Sequence, residues 1–327
     1  MLEIWLPLIG GLVLLIAGGE LLVRGAVQVA SSLGVSPLVI GLTLVGFGTS
    51  TPELVTSVQA ALANAPGIAY GNIVGSNIAN ILLIAGVAAL ISPMVVSSVA
   101  LKRDGLVMLA VAVIFAAVAF AMPLGRIVGA VFVVALVAYV YLAFRQEKAS
   151  APAGHGAVFD KSFALQGADA ALSPPKAPQQ SVLISALIAL GGLVLVVIGG
   201  RFLVDGAVSL ARDFGISETV IGLTIVAVGT SMPELVTSVV AGLRKQGDVA
   251  FGNIVGSNVY NILGIGGFTA LMAPGAVPAE IVSFDNLVMV AVSLGFVAFA
   301  WTGLRIARRE GAVLLAGYVA YVYVIWP

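Results

Sequence analysis

Glu53 and Glu234 each stand inside an apolar run long enough to cross a bilayer, one residue after a proline, in "GTSTPELVTS" (48–57) and "GTSMPELVTS" (229–238). A carboxylate at membrane depth costs roughly 2.5–3.5 kcal/mol on insertion scales, and an interior proline removes a backbone hydrogen bond, so both need an offsetting role. Thr49, Glu53 and Thr56 follow at i, i+4 and i+7 with Ser50 and Ser57 beside them, which lines one helix face with oxygen. Thr230, Ser231, Glu234, Thr237 and Ser238 repeat the pattern. Pro52 and Pro233 cannot donate to the carbonyls of Gly48 and Gly229. A break there can aim further backbone oxygens into a cavity, where a membrane tolerates irregular backbone. Asn72, Ser76 and Asn80, then Asn253, Ser257 and Asn261, step by four along a helix face, while Gly71 and Gly75, like Gly252 and Gly256, allow close helix approach.

Two carboxylates with hydroxyls, amides and freed carbonyls form an all-oxygen set. Hard cations take such ligands: calcium accepts six to eight oxygens in flexible geometry, and magnesium gives up its water reluctantly. With no cysteine in the chain and no histidine in any span, zinc, copper and iron are disfavoured. Calcium, with sodium competing for the same oxygens, fits best. The plainer reading makes the Ser, Thr and Asn side chains interhelical glue and the prolines kinks; it leaves the glutamates unexplained, since nothing else charged is expected at their depth. An empty site carrying −2 is costly to move through an occluded state. A carrier that reorients only when filled is an exchanger.

The elements that position these residues follow from composition. The chain is 60% hydrophobic and 9% charged over 327 residues, against roughly 25% charged for a soluble domain, which implies an all-α polytopic membrane protein. Apolar stretches of about 20 residues centre near residues 14, 50, 80, 112, 135, 192, 230, 262, 291 and 316, giving ten expected spans. The first is too long for a signal-peptide core and is read as retained. If loops alternate sides, 12 of the 15 basic residues fall on one side, with Arg126, Arg201 and Arg212 opposite. The positive-inside rule then puts both termini outside. Net charge is zero, so nothing suggests nucleic acid; inorganic cations and the lipid bilayer are the expected partners, with no obligatory protein partner evident.

Two copies of one unit account for the order of the spans. "GFGTSTPELVTS" (46–57) returns as "AVGTSMPELVTS" (227–238) and "GNIVGSNIANIL" (71–82) as "GNIVGSNVYNIL" (252–263), both offset by 181 residues, with 19 of 24 positions identical. Each copy holds five expected spans. An odd number makes the second copy enter from the opposite side, an inverted-topology repeat of the kind secondary transporters build around a midplane site. The organisation is therefore 1–144 as the first repeat, 145–180 as a flexible cytoplasmic linker and 181–327 as the second repeat. His155, the only histidine, lies in the linker and reads as a solvated loop residue. Glu20 with Arg24, and Arg201 with Asp205, are four apart and can close as helical ion pairs; Asp104 and Asp285, also 181 apart, read as helix N-caps.

The doubled "GTSxPE" and "GNIVGSNxxN" motifs resemble the alpha-repeats of the calcium/cation antiporter superfamily, most of all its prokaryotic sodium/calcium exchanger branch, across essentially the whole chain outside the linker. The resemblance implies ten helices, with spans 2, 3, 7 and 8 as an ion-binding core and spans 1 and 6 sliding across it. It implies as ligands Thr49, Ser50, Glu53, Ser76 and Asn80 from the first repeat, Thr230, Ser231, Glu234 and Ser257 from the second, and the backbone carbonyls of Gly46 and Ala227. At the last ligand position many relatives carry an acid where this chain has Asn261. That argues against potassium co-transport and leaves two acids for stoichiometry. The implied activity is Ca²⁺/Na⁺ antiport in a prokaryotic cell (inner) membrane, with no cofactor and no enzymatic step. The linker, at about 36 residues, is too short for the calcium-sensing domains of eukaryotic relatives. A proton/calcium exchanger lacks here the histidine-bearing second motif of proton-coupled branches, an intramembrane hydrolase lacks a His or Lys base in any span core, and a cation channel would conduct without countertransport.

Overall fold

A computed structural model describes residues 2–35, 37–96, 100–149, 157–169 and 181–327; His155 and Lys176 lie outside them. The long helices of the first half are α1 (Leu2–Ser32), α2 (Thr51–Leu62), α3 (Pro66–Ala79), α4 (Leu106–Ala121) and α5 (Arg126–Ala149). Between the halves lies α6 (Ala157–Ala168). The second half holds α7 (Val182–Phe214), α8 (Met232–Leu243), α9 (Gly247–Val259), α10 (Asn286–Trp301) and α11 (Arg308–Ile325). Among the described residues seven continuous helices are long and apolar enough to span a membrane, and the pair Glu218–Thr230 and Met232–Leu243, bent by 50°, makes an eighth. The remaining expected spans, near residues 50 and 316, fall outside that count. The first is interrupted before Thr51, and the second opens on the charges Arg308, Arg309 and Glu310. Large apolar side chains such as Phe120 and Ile127, each 82% exposed, suit a lipid-facing surface.

Helices α1 and α7 are repeat counterparts and run antiparallel in backbone contact. Gly11, Gly18 and Gly25 on α1 recur every seven residues, as do their counterparts Gly192, Gly199 and Gly206 on α7. A Cβ at Gly11 would lie 2.4 Å from the Leu203 amide nitrogen, and one at Gly192 only 2.3 Å from that of Leu22. Small residues at this period are what let two helices touch along their length without a hydrophobic driving force. The α7 helix is closed by Ser181, whose hydroxyl accepts the Ile184 amide, and by Gly215 in the left-handed conformation, the common stop signals at either end.

The centre is built by α3 and α9, the two most enclosed spans. Gly71 and Gly75 of α3 press on the backbone of Gly222 and Leu223, within 2.5–3.0 Å of where a Cβ would sit. Wide π-helical turns at Gly41–Val45, Asn80–Ile84 and Leu101–Gly105 recur as Gly222–Val226, Tyr260–Gly266 and Ile281–Asp285 in the second half. Such turns interrupt regular hydrogen bonding and concentrate at functional sites.

Two sequence expectations are corrected here. Asp104 and Asp285 do not cap helices: they sit inside π turns with no capping bond, and accept instead from Tyr139 and Tyr321 hydroxyls at 3.1 and 2.8 Å. The connection read as flexible contains α6, whose Ala157, Val158, Lys161, Ala164 and Leu165 are all buried. Their i, i+1, i+4, i+7, i+8 spacing is one helical face. A lysine in the middle of that stripe conceals its apolar period.

Candidate functional site

The local chain path explains why the glutamates point inward. The short helical turn Gly46–Gly48 ends at Ser50 (φ −84°, ψ 4°), and its counterpart Ala227–Thr230 ends at Ser231 (φ −84°, ψ 10°). Helices α2 and α8 restart at the next residue with Pro52 and Pro233 in the first turn, a position where the missing N–H costs nothing. Glu53 and Glu234 follow in those first turns, where the helix dipole favours negative charge. Both are buried, each 2% exposed.

Asparagines tie these broken helices to α3 and α9. The Asn72 amide donates to the Glu53 carbonyl (3.2 Å) and the Ser57 hydroxyl (2.9 Å), and Asn253 makes the same bonds to Glu234 and Ser238 at 3.2 and 2.8 Å. Asn72 and Ser57 therefore act as interhelical ties, and Asn72 Oδ1 also accepts from the Thr230 hydroxyl at 3.0 Å.

The two halves meet at the acids. Ser231 Oγ of the second half donates to Glu53 Oε1 of the first at 3.0 Å, and Ser76 Oγ lies 3.4 Å from the Ala227 carbonyl. Asn80 donates to Asn258 Oδ1 at 3.0 Å. Glu53 Oε2, Asn80 Oδ1 and Asn261 Oδ1 are buried oxygens with no hydrogen-bond partner, while the Glu234 carboxylate has the Thr49 hydroxyl and the Lys161 ammonium beside it. Orphaned acceptors cost free energy in a low-dielectric interior unless a ligand takes them. Gly46 opens the counterpart of the turn that carries Ala227. The contacts bring Glu53 and Glu234 within electrostatic reach of each other and join Ser231 to Glu53 and Ser76 to Ala227; Asn80 and Asn261 are buried without a contact that joins them to the acids. A cavity of about 340 Å³ lies beside the acidic motifs, lined by Gly48, Thr49, Pro52, Pro233 and Thr237 with Leu165 of α6.

Lys161 is the residue sequence reasoning missed. It is fully buried, and its ammonium reaches Ser257 Oγ (2.5 Å), Ser50 Oγ (3.2 Å) and Glu234 Oε1 (3.6 Å), with the Tyr260 ring centroid 5.3 Å away. The expectation that no other charge lies at the depth of the glutamates is therefore overturned, because the cation arrives from outside the span sequence. The buried five-residue face of α6 was the available signal.

The chain as a whole is similar to known proteins. The family described as "Sodium/calcium exchanger protein" matches residues 3–145 and 184–326. The chain is 38% identical to the sodium/calcium exchanger MaX1 of Methanosarcina acetivorans, covering 98% of each. It is 37% identical to the putative antiporter CaxA of Alkalimonas amylolytica, over 97% of this chain and 96% of that one. Among solved structures, the sodium-calcium exchanger NCX_Mj superposes with a TM-score of 0.63 at 32% identity, covering 98% of both chains.

Proposed function

The chain belongs to the sodium/calcium exchanger family, a family of membrane transporters rather than enzymes, and on that premise we propose that it exchanges Ca²⁺ for Na⁺ by alternating access. The proposed molecule has ten spans in two inverted five-helix repeats, with Pro37–Leu62 and α11 completing the eight described above. It sits in a prokaryotic cell membrane with both termini outside. Calcium is held by Glu53, Glu234 and surrounding oxygens of Thr49, Ser50, Ser76, Asn80, Thr230, Ser231, Ser257 and Asn261, and sodium also uses the Gly46 and Ala227 carbonyls. These ions are substrates; no cofactor is invoked.

One observation carries the reading: an acid from each half is buried in a common cluster, with Ser231 of the second half bonded to Glu53 of the first. Two carboxylates balance one Ca²⁺. Left empty they resist reorientation, which couples the inward and outward half-cycles. The contacts of Lys161 support the same chemistry, because an ammonium held by two hydroxyls and a carboxylate is a cation in an oxygen site. The serine–lysine proximity also resembles a hydrolase dyad, but the chain's family and the two acids at the site favour transport.

The test is calcium uptake into proteoliposomes under an outward sodium gradient, repeated with a pH gradient alone. Uptake driven by sodium and not by pH is expected. Uptake that follows the pH gradient without sodium would replace sodium by protons as the coupling ion.

A further inference from the structure

The two halves of the site are not equivalent, and α6 makes the difference. In the first half the glycine face of α3, Gly71 and Gly75, closes on Gly222–Leu223, the short segment that leads into the second acidic motif. By the 181-residue offset, the glycine face of α9, Gly252 and Gly256, has the segment Gly41–Leu42 as its corresponding partner. It packs on α6 instead: a Cβ at Gly252 would fall 2.2 Å from Asp160 Cβ, and one at Gly256 3.2 Å from Lys161 Cδ.

Two hydrogen bonds differ in the same way. Thr230 bonds Asn72, but the corresponding pair, Thr49 and Asn253, is unbonded: Asn253 Oδ1 has no partner, and the Thr49 hydroxyl lies against the Glu234 carboxylate instead. Ser76 reaches the Ala227 carbonyl, whereas its counterpart Ser257 receives the Lys161 ammonium.

Resting on the exchanger reading of the site, we propose that α6 is a built-in plug. It fills the groove that the segment 41–49 must enter for the carrier to change sides, and its Lys161 ammonium stands in for a transported cation. Two latches hold it. At its start the Ala157 amide donates to Asp104 Oδ2 at 2.8 Å; just past its end Asp169 pairs with Arg24 at 2.7 Å. Arg24 in turn pairs with Glu20 on α1, so the plug is tied to the helix pair expected to slide. The electrostatics are those of a competitor. A tethered +1 charge against Ser50, Ser257 and Glu234 lowers the field that attracts a metal ion, and Ca²⁺ or Na⁺ can bind fully only when the ammonium leaves. Ions that load the site therefore release the helix, and the docked helix holds the carrier in one orientation with its linker side wedged open.

The absence of native cysteine makes the test direct. Ala164 is buried on α6, and Ala164→Cys in the full chain reports undocking through maleimide labelling in detergent. Labelling is expected to be slow without Ca²⁺ and Na⁺, to rise at saturating Ca²⁺, and to be fast without ions when Lys161→Gln is added. Equilibrium ⁴⁵Ca²⁺ binding gives the affinity. If the helix is docked ten to one, Lys161→Gln binds calcium about tenfold more tightly, because apparent affinity is reduced by the competent fraction. Asp169→Asn, which loosens one latch without touching the site, is expected to shift both readouts the same way by a smaller factor, and serves if Lys161→Gln does not fold. Labelling that is equally slow in every protein, or Lys161→Gln binding calcium no more tightly than the parent, would overturn the plug. If neither protein binds calcium while Lys161→Gln still frees the helix, the plug stands and the calcium assignment falls.

Discussion

A buried glutamate that serves a cation can be told from one that merely packs by an isosteric change. Glu53→Gln and Glu234→Gln keep shape and volume while removing the charge that a cation needs. Each is expected to reduce calcium transport at least about 100-fold, the loss of a charged ligand buried at low dielectric, while the protein keeps its size-exclusion profile. Uptake at the parent rate in either variant removes that residue from the ligand set. The ties differ from the ligands. Asn72→Ala severs bonds to Glu53, Ser57 and Thr230 and should cost about 1–3 kcal/mol in detergent unfolding. Asn253→Ala, whose Oδ1 is already unpartnered, should cost less; the reverse order would contradict the asymmetry between the halves. The acids and their hydroxyl neighbours were legible in the sequence because polar groups at membrane depth stand out against an apolar background. Lys161 was not, because a lysine in a connecting segment is ordinarily solvated, and its burial depends on a fold that brings Ser50, Glu234 and Ser257 together.

The elements have their own test in two adjacent glycines of α7. A Cβ at Gly192 would sit 2.3 Å from the Leu22 amide nitrogen, whereas one at Gly191 meets nothing within 4 Å. Gly192→Ala must therefore push α1 and α7 apart, at about 1–3 kcal/mol for overpacking. Gly191→Ala should be neutral or stabilising by about 0.4–1 kcal/mol. Melting temperatures of the pair decide it, and equal values would mean that the two helices are not in backbone contact. The breaks before α2 and α8 were legible from Pro52 and Pro233, since proline is favoured in the first turn of a helix and removes a backbone hydrogen bond further in. The capping role read for Asp104 and Asp285 was not borne out, because the helices begin earlier, through π turns that local spacing does not reveal.

At the scale of the molecule, one doubled sequence gives two halves whose corresponding contacts are made on one side and interrupted by α6 on the other. On the proposed exchange mechanism, that asymmetry sets the barrier between two orientations partly by a helix and partly by the charge of the site. The repeat itself was plain in the sequence at an offset of 181 residues. Which half would be closed was not, because both copies carry nearly the same motif and only the connection between them breaks the symmetry. The central claim is that Glu53 and Glu234 serve a single ion between them. The direct measurement is calcium binding stoichiometry on the purified protein, carried out on the parent, Glu53→Gln and Glu234→Gln. One Ca²⁺ per chain, displaced by sodium and lost in both variants, is the predicted result; two ions per chain, each lost in only one variant, would mean that the acids belong to separate sites.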